Sequence, residues 1–496
     1  MSVTQKTIKS SIVIMCSRLV QRSIGIVSLL ILSRLLTPTD FGVVALATML
    51  VFLCDSLSES GAQQYIIQKK QLDDVDLNTA WSLNILLKSL LALILMGLSP
   101  ILAGFFDEPT LQNPLLAIAL ILPLSALANP GIILLRREFN YGPIFKLDTI
   151  EKLTGTATTI TLAFIWQSYW AMICGVIVSY LVKCVGSYWI HHFRPCFTLN
   201  KLKAQWSFSQ WLLLKSLVGY MKSELDTVII TKYFGLSALG GYNLMKNISS
   251  IPGRELIRPM TEPLLAAFSN INHDQENFKE QILNSLTILL VVTASISVYL
   301  IKFDVVIVQV LFNEQWYEYA PVLGYLSVFI INYTLIAVLQ EALTSVGKVK
   351  FQFYFDLVVF VLTVSILLLF FTESLMVFTM ARVSLAVISV IILCSFLTYI
   401  LGISITALVI RVIPIGASLL VAVYASDSLH NWGLTPIILS PLWWEFVVGS
   451  MLYFSVYLVT LPVMFKVFHV FSDVAIFNRW ATDILRTQYQ KLRPKA

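Results

Sequence analysis

Residues 206–263, WSFSQWLLLKSLVGYMKSELDTVIITKYFGLSALGGYNLMKNISSIPGRELIRPMTEP, decide how the rest of the chain is read. The stretch is long and apolar enough to cross a bilayer twice, with a break at Gly235-Leu236-Ser237. Yet it carries Lys215, Lys222, Glu224, Asp226, Lys246, Arg254, Glu255, Arg258 and Glu262. A charge near the bilayer centre costs roughly 2.5–3.5 kcal/mol on insertion scales, so such groups face a bundle interior or a wet cavity. At the helical repeat, Lys215, Gly219, Lys222 and Asp226 fall on one narrow stripe. That stripe predicts the wall of a polar, mostly cationic chamber inside a membrane protein.

Composition agrees with this class. Of 496 residues 57% are hydrophobic and 12% charged, against about 25% charged in ordinary soluble domains. The expectation is an all-α polytopic membrane protein. The net charge of +6 sits in loop Lys and Arg, which bear on topology and anionic lipid and give no reason to expect nucleic acid. Five of the six cysteines lie in apolar segments and none forms a C-x-x-C pair. His191, His192 and Cys196 fit no usual ligand spacing. No metal and no cofactor are expected.

From the N-terminus, the first apolar span (about 10–36) holds Arg18 and Arg22 without a small-residue cleavage site, and so reads as a signal anchor. Further apolar runs bring the total to about fourteen helices. The first six fill residues 1–200 and the next six 201–403; residues 404–470 add a helix pair, joined through 404–411, and 471–496 form a basic tail. Alternate loops carry Lys69/Lys70, Arg136/Arg137, Arg194/Lys201/Lys203 and Lys348/Lys350, whereas 103–113 and 424–444 contain no Lys or Arg. The positive-inside rule places both termini in the cytoplasm. The outer connection 302–319 reads as an interfacial amphipathic segment.

The chain also repeats itself. Ser33–Gly42 (SRLLTPTDFG) lines up with Thr231–Gly240 (TKYFGLSALG), offset by about 198 residues. A second echo relates Phe106-Asp107-Glu108 to Phe312-Asn313-Glu314. The offsets fit one six-helix unit used twice, the arrangement in which transporters place substrate at the repeat interface.

Five strings carry a family likeness: SRLLTPTDFGVVALA, QQYIIQKKQLDDVDLNTAWSLN, LLRREFNYGPIFKLD, GGYNLMKNISSIPGRELIRP and LFNEQWYEYAPVL. Together they resemble the polysaccharide-transporter family of the multidrug/oligosaccharidyl-lipid/polysaccharide exporter superfamily, colanic-acid-type exporters in particular. The resemblance runs from about residue 5 to residue 400. It implies a fourteen-helix, two-lobed flippase of the bacterial inner membrane and not an enzyme. The implied substrate is an undecaprenyl-pyrophosphate-linked oligosaccharide, moved to the periplasmic leaflet for O-antigen, capsule or exopolysaccharide assembly. The implied partners are that lipid-linked glycan, membrane lipids, and polysaccharide polymerase and chain-length machinery. An acidic role in the loop after the first helix is carried only to Asp40, since Ala238 stands opposite it in the second copy.

Residue chemistry converges on the same reading. Arg gives a planar fork for phosphate oxygens and Lys a point charge. Arg18, Arg22, Lys88, Lys215, Lys222, Lys246 and Arg254 are the candidate cationic lining. Lys88 stands mid-span without a partner nearby in sequence. Asp55 and Glu59 share one helix face, and either balance the arginines or couple protons. Lys222 and Asp226 either line the chamber or neutralise one another; Asp148 with Lys152, and Arg258 with Glu262, read as structural pairs. Arg34 and Lys232 are expected to snorkel outward. Pro252, Pro259 and Pro263 break the eighth helix, with Pro252 and Pro259 the candidate hinge. Competing classes are a peptidoglycan-precursor flippase, a drug/cation antiporter, for which an acidic or aromatic chamber is expected, and a membrane polysaccharide polymerase. The polymerase would need catalytic groups in a large outer loop, and residues 302–319 offer carboxylates without His or Arg.

Overall fold

A computed structural model describes residues 3–58, 66, 69, 72–367, 369–370, 373–431 and 441–468; side chains at 3–12, 204–219, 221, 222, 349, 405, 429–431 and 441 lie outside that description. Among the described residues all regular structure is helical. Eleven helical stretches there are long and apolar enough to cross a membrane. The protein is a multi-pass, all-helical membrane protein.

The chain forms two compact units. The first comprises Met1–Leu244, Leu311–Trp316 and Phe371–Leu375. It opens with α1 (Val3–Leu35), α2 (Pro38–Ser58) and α3 (Asp74–Phe105). The run 114–135, which apolar length alone reads as one span, is three short helices: α4 (Gln112–Ile118), α5 (Ile121–Ala126) and α6 (Gly131–Arg137). Pro123 and Pro130 lack the N–H that a continuous helix needs, and the Asn129 side chain bonds Gly131 N (2.9 Å), holding the turn open. Then follow α7 (Tyr141–Trp166), α8 (Trp170–Ile190) and α9 (Leu202–Ser249). α7 and α8 meet through glycines: a Cβ on Gly155 would overlap the Ser179 hydroxyl, and one on Gly175 the Thr159 hydroxyl. In lipid, where apolar burial gives no drive for association, small residues let backbones approach and gain dispersion contact. The expected break inside α9 is real, since Gly235 has φ 80° and ψ 179°, a conformation open essentially to glycine alone.

The second unit comprises Met245–Val310, Tyr317–Phe370 and Met376–Ala496. After Ser249 the helix passes through a π turn (Gly253–Ile257) into α10 (Arg258–Thr261) and α11 (Leu264–Ile271). Pro252, Pro259 and Pro263 stand at these junctions, so the proline reading of a broken helix holds. The unit continues with α12 (Gln275–Lys302), α13 (Asp304–Leu311), α14 (Ala320–Ser345), α15 (Val349–Leu367), α16 (Leu375–Leu401), α17 (Ile405–Asn431), α18 (Pro441–Trp444) and α19 (Ser450–Val467). One expectation needs correction. Residues 405–411 are the first turns of α17 and not a linker, with Arg411 bonded to the Asn284 side chain. In the segment 302–319 Val306, Ile307, Val308 and Val310 are buried and Trp316 is fully so, while Val305, Asn313, Glu314 and Gln315 are exposed.

Candidate functional site

Arg18 lines a cavity of about 400 Å³ formed within the first unit by α1, α6 and α7. Its other polar walls are Ser17, Gln21, Arg136, Tyr141 and Asp148, and Val13, Ile14, Ile144 and Phe145 supply apolar surface. Local structure explains the placement. Ser17, Arg18 and Gln21 lie within one helical turn, so they share a face, and Gln21 donates to the Ser17 hydroxyl at 2.9 Å. Arg136 reaches the same space because α6 ends at Arg137 and α7 restarts at Tyr141. Two guanidinium groups, an amide, two hydroxyls and one carboxylate over an apolar floor suit an anionic head joined to a hydrocarbon tail. Sequence reasoning assigned Arg136 to topology alone; its spacing from Tyr141 and Asp148 across a short helix break was the available signal.

Asp148 does not form the expected pair with Lys152. It faces Lys183 of α8 at 3.3 Å, and Glu151 faces the same amine at 2.8 Å. Asp148 thus brings one carboxylate to the cavity wall, which offsets part of the charge of the two arginines.

Lys88 has the partner that the sequence did not show. It is 9% exposed, pairs with Asp55 at 2.7 Å and donates to the Ser125 hydroxyl at 2.9 Å. Asp55 therefore balances Lys88, a different cation from the arginines it was matched to by sequence. Asp40 accepts from Thr37 N (2.9 Å), the Thr37 hydroxyl (2.7 Å) and Tyr169 N (2.9 Å). Its carboxylate thus ties the α1–α2 turn to the α7–α8 turn. Asp226 is buried and accepts from the Tyr242 hydroxyl at 3.0 Å. Arg22 is half-buried on α1. Lys246 is half-buried at the end of α9, and the exposed Arg254 approaches Asn247 O at 3.5 Å in the π turn. Arg258 and Glu262 form the expected pair, at 3.8 Å. Lys232 pairs with the exposed Asp107 at 2.6 Å. The side chains of Lys215 and Lys222, and the whole of Glu59, lie outside the described residues.

Beside the cavity, the chain leaving α8 is pinned to the basic loops. Lys69 and Lys201 converge on the buried Asp76 at 2.7 and 3.2 Å, and Lys201 also meets Asp73 at 2.8 Å. Those hydrogen bonds, that to Asp73 first, push the Lys201 amine above its ordinary pKa. Burial lowers the His191 imidazole, and its Nδ1 accepts from Phe193 N at 3.1 Å.

Known proteins bear on both fold and family. The chain is 25% identical over 332 residues to the lipopolysaccharide biosynthesis protein WzxC of Escherichia coli (strain K12), covering 66% of this chain and 68% of that one. It is 25% identical over 299 residues to the succinoglycan biosynthesis transport protein ExoT of Rhizobium meliloti (strain 1021), covering 60% of each. Its fold matches the inward closed conformation of the lipid II flippase MurJ with a TM-score of 0.72 at 15% identity, over 92% of this chain and 99% of that one. Residues 31–321, more than half of the chain, match the family described as polysaccharide biosynthesis protein. The chain belongs to that family of polysaccharide biosynthesis proteins.

Proposed function

We propose that the protein is a flippase that moves undecaprenyl-pyrophosphate-linked oligosaccharide from the cytoplasmic to the periplasmic leaflet of the bacterial inner membrane. The observation that carries this is the cavity holding Arg18 and Arg136 beside apolar α1 and α7 side chains. A pyrophosphate cannot enter hydrocarbon bare, and two guanidinium forks match its oxygens. Arg22 lies one turn above Arg18 and continues the cationic track, with Lys215, Lys222, Lys246 and Arg254 as its later members. Lys88 contributes through its pair with Asp55 and not as a free cation.

Several features support alternating access between two six-helix lobes (1–200 and 201–403), with 404–470 as an added pair and both termini cytoplasmic. Adding α7, the part of α9 before Gly235, and the run from Leu236 through α10 to α11 to the eleven apolar stretches gives the fourteen spans this needs. The relatives are named for lipopolysaccharide and succinoglycan pathways, and the fold neighbour flips lipid II. The break at Pro252 and Pro259 is the hinge; Pro252→Ala with Pro259→Ala should trap one access state, and unchanged two-sided cysteine labelling would refute it.

The deciding experiment is reconstitution with lipid-linked glycan and a leaflet-selective readout. The double mutant Arg18→Ala, Arg22→Ala should insert normally and flip nothing; Lys at either position should restore part of the rate. Full flipping by the double mutant would sink the assignment.

A further inference from the structure

The two turns aligned by the sequence repeat touch one another. Thr37 is the second of the two non-helical residues between α1 and α2, and Gly235 is its counterpart inside α9. Pro38 and Gly42 follow in the first copy, Leu236 and Gly240 at the same positions in the second. A Cβ on Gly42 would overlap the carbonyl oxygen of Leu236, and a Cβ on Gly240 would overlap that of Pro38. Each copy's glycine thus receives the other copy's turn residue. That reciprocity is the signature of a two-fold contact, here made within one chain. Only two bare backbones can approach so closely.

Several polar groups around the crossing find partners locally. Trp316 donates to Ser33 O at 2.8 Å, Gln315 to Leu36 O at 2.9 Å and Asn313 to Arg34 O at 2.9 Å. These side chains occupy the terminal carbonyls of α1 that a helix end leaves open. The Trp316 ring meets Phe41 edge-on at 5.1 Å. On the second copy Lys232, the counterpart of Arg34, donates to Phe105 O at 2.5 Å and pairs with Asp107. Helix ends, loop and crossing therefore form one closed pole of the first unit.

We propose that the reciprocal Gly42–Gly240 crossing is the outer gate of the transport cycle, seated in this structure and parted when substrate leaves. The inference rests on the flippase reading and on the orientation that places the α1–α2 turn in the periplasm. A close backbone fit behaves as a latch, because a gap of 0.5–1 Å already forfeits a quarter to a half of the dispersion attraction. Two equivalent contacts related by the repeat give way together, so the gate has two states and few between. At 1.5 Å per residue, the outer end of α1 lies about 25 Å from Arg18. The gate and the cavity are thus at opposite faces of the membrane.

Two arms test this in a protein whose six cysteines are replaced. First, Thr39→Cys with Ser237→Cys puts thiols on repeat-equivalent exposed positions beside the crossing, without touching it. A reversible thiol cross-linker should join them in native membranes, stop glycan export, and release it on reduction. Complete cross-linking with full export, or no cross-linking at all, would overturn the gate. Second, Gly240→Leu should hold the crossing apart. A Gln21→Cys reporter should then label from the periplasmic side several-fold faster with an impermeant maleimide. Unchanged labelling of a normally inserted Gly240→Leu protein would also overturn it. The labelling arm does not depend on substrate, so a protein that passes it yet moves no glycan spares the gate and defeats the flippase reading.

Discussion

Lys88 shows how a residue can be legible as unusual while its partners are not. Mid-span charge is legible in any hydropathy pattern; its partner is not, because Asp55 and Ser125 approach from other helices. Breaking a buried pair leaves an uncompensated charge, at about 3–5 kcal/mol where both groups are dry. Asp55 is 36% exposed, so solvent screening reduces that to roughly 1–3 kcal/mol here. Lys88→Met or Asp55→Asn alone should lower the melting temperature in detergent, and Lys88→Met with Asp55→Leu should recover most of it. A double mutant that is stable but does not transport would give the pair a role in coupling; one that is stable and active would make it structural. His191 supplies a pH prediction. Its imidazole is held below its ordinary pKa, chiefly by burial and then by His192, stacked at 4.7 Å. The folded state therefore binds fewer protons at this site than the unfolded state, so stability is present above the ordinary pKa of about 6.5 and falls as pH drops through it. Thermal melts from pH 7.5 to 5.5 should show that loss, and His191→Gln should flatten the profile. Equal slopes in both proteins would refute the assignment.

At the scale of elements, apolar length predicted most spans, because a helix that crosses lipid must satisfy its own backbone and be apolar enough to stay. Backbone punctuation was legible where a special residue enforces it, at Gly235 and at Pro252, Pro259 and Pro263. It was missed in α4–α6, where Pro123 and the Asn129-Pro130-Gly131 turn interrupt a mostly apolar run, and the long-range contact of Trp316 with Ser33 was likewise out of reach of the sequence. The α7–α8 crossing was invisible for the same reason, since Gly155 and Gly175 are meaningful only once their helices meet. Gly155→Val drives a side chain into Ser179 and should cost at least the 1–3 kcal/mol typical of overpacking. Gly25→Ala, also on a long helix, meets only the Lys152 side chain at 4.0 Å, so it should be neutral or gain up to about 1 kcal/mol from helix propensity. Comparing the melting temperatures of the two variants separates packing from propensity; equal losses would show that the crossing is not tight.

For the whole molecule the remaining question is what drives a cycle in one direction. The pyrophosphate of the proposed substrate carries about two negative charges and the bacterial interior is negative, so each charge moved outward across 100 mV gains roughly 2.3 kcal/mol. The loaded step is pushed toward the periplasm to the extent that the chamber leaves charge unneutralised. In the Arg18 cavity Asp148 stands among the arginines and offsets part of their charge, which favours that condition. When the carrier is empty the field acts on its cations instead and draws them back toward the cytoplasmic-facing state. Potential alone then biases both half-cycles without a co-transported ion. The rival scheme needs a membrane carboxylate free to take a proton, and the pair with Lys88 removes Asp55 from that role in this conformation. Proteoliposomes carrying an imposed potassium-diffusion potential, without a pH or sodium gradient, separate the two. Flipping should accelerate when the substrate-receiving side is positive and slow when the sign is reversed. A rate that ignores the sign yet follows a proton gradient would refute potential-driven export, and Asp55→Asn would then be the variant to test for loss of proton coupling.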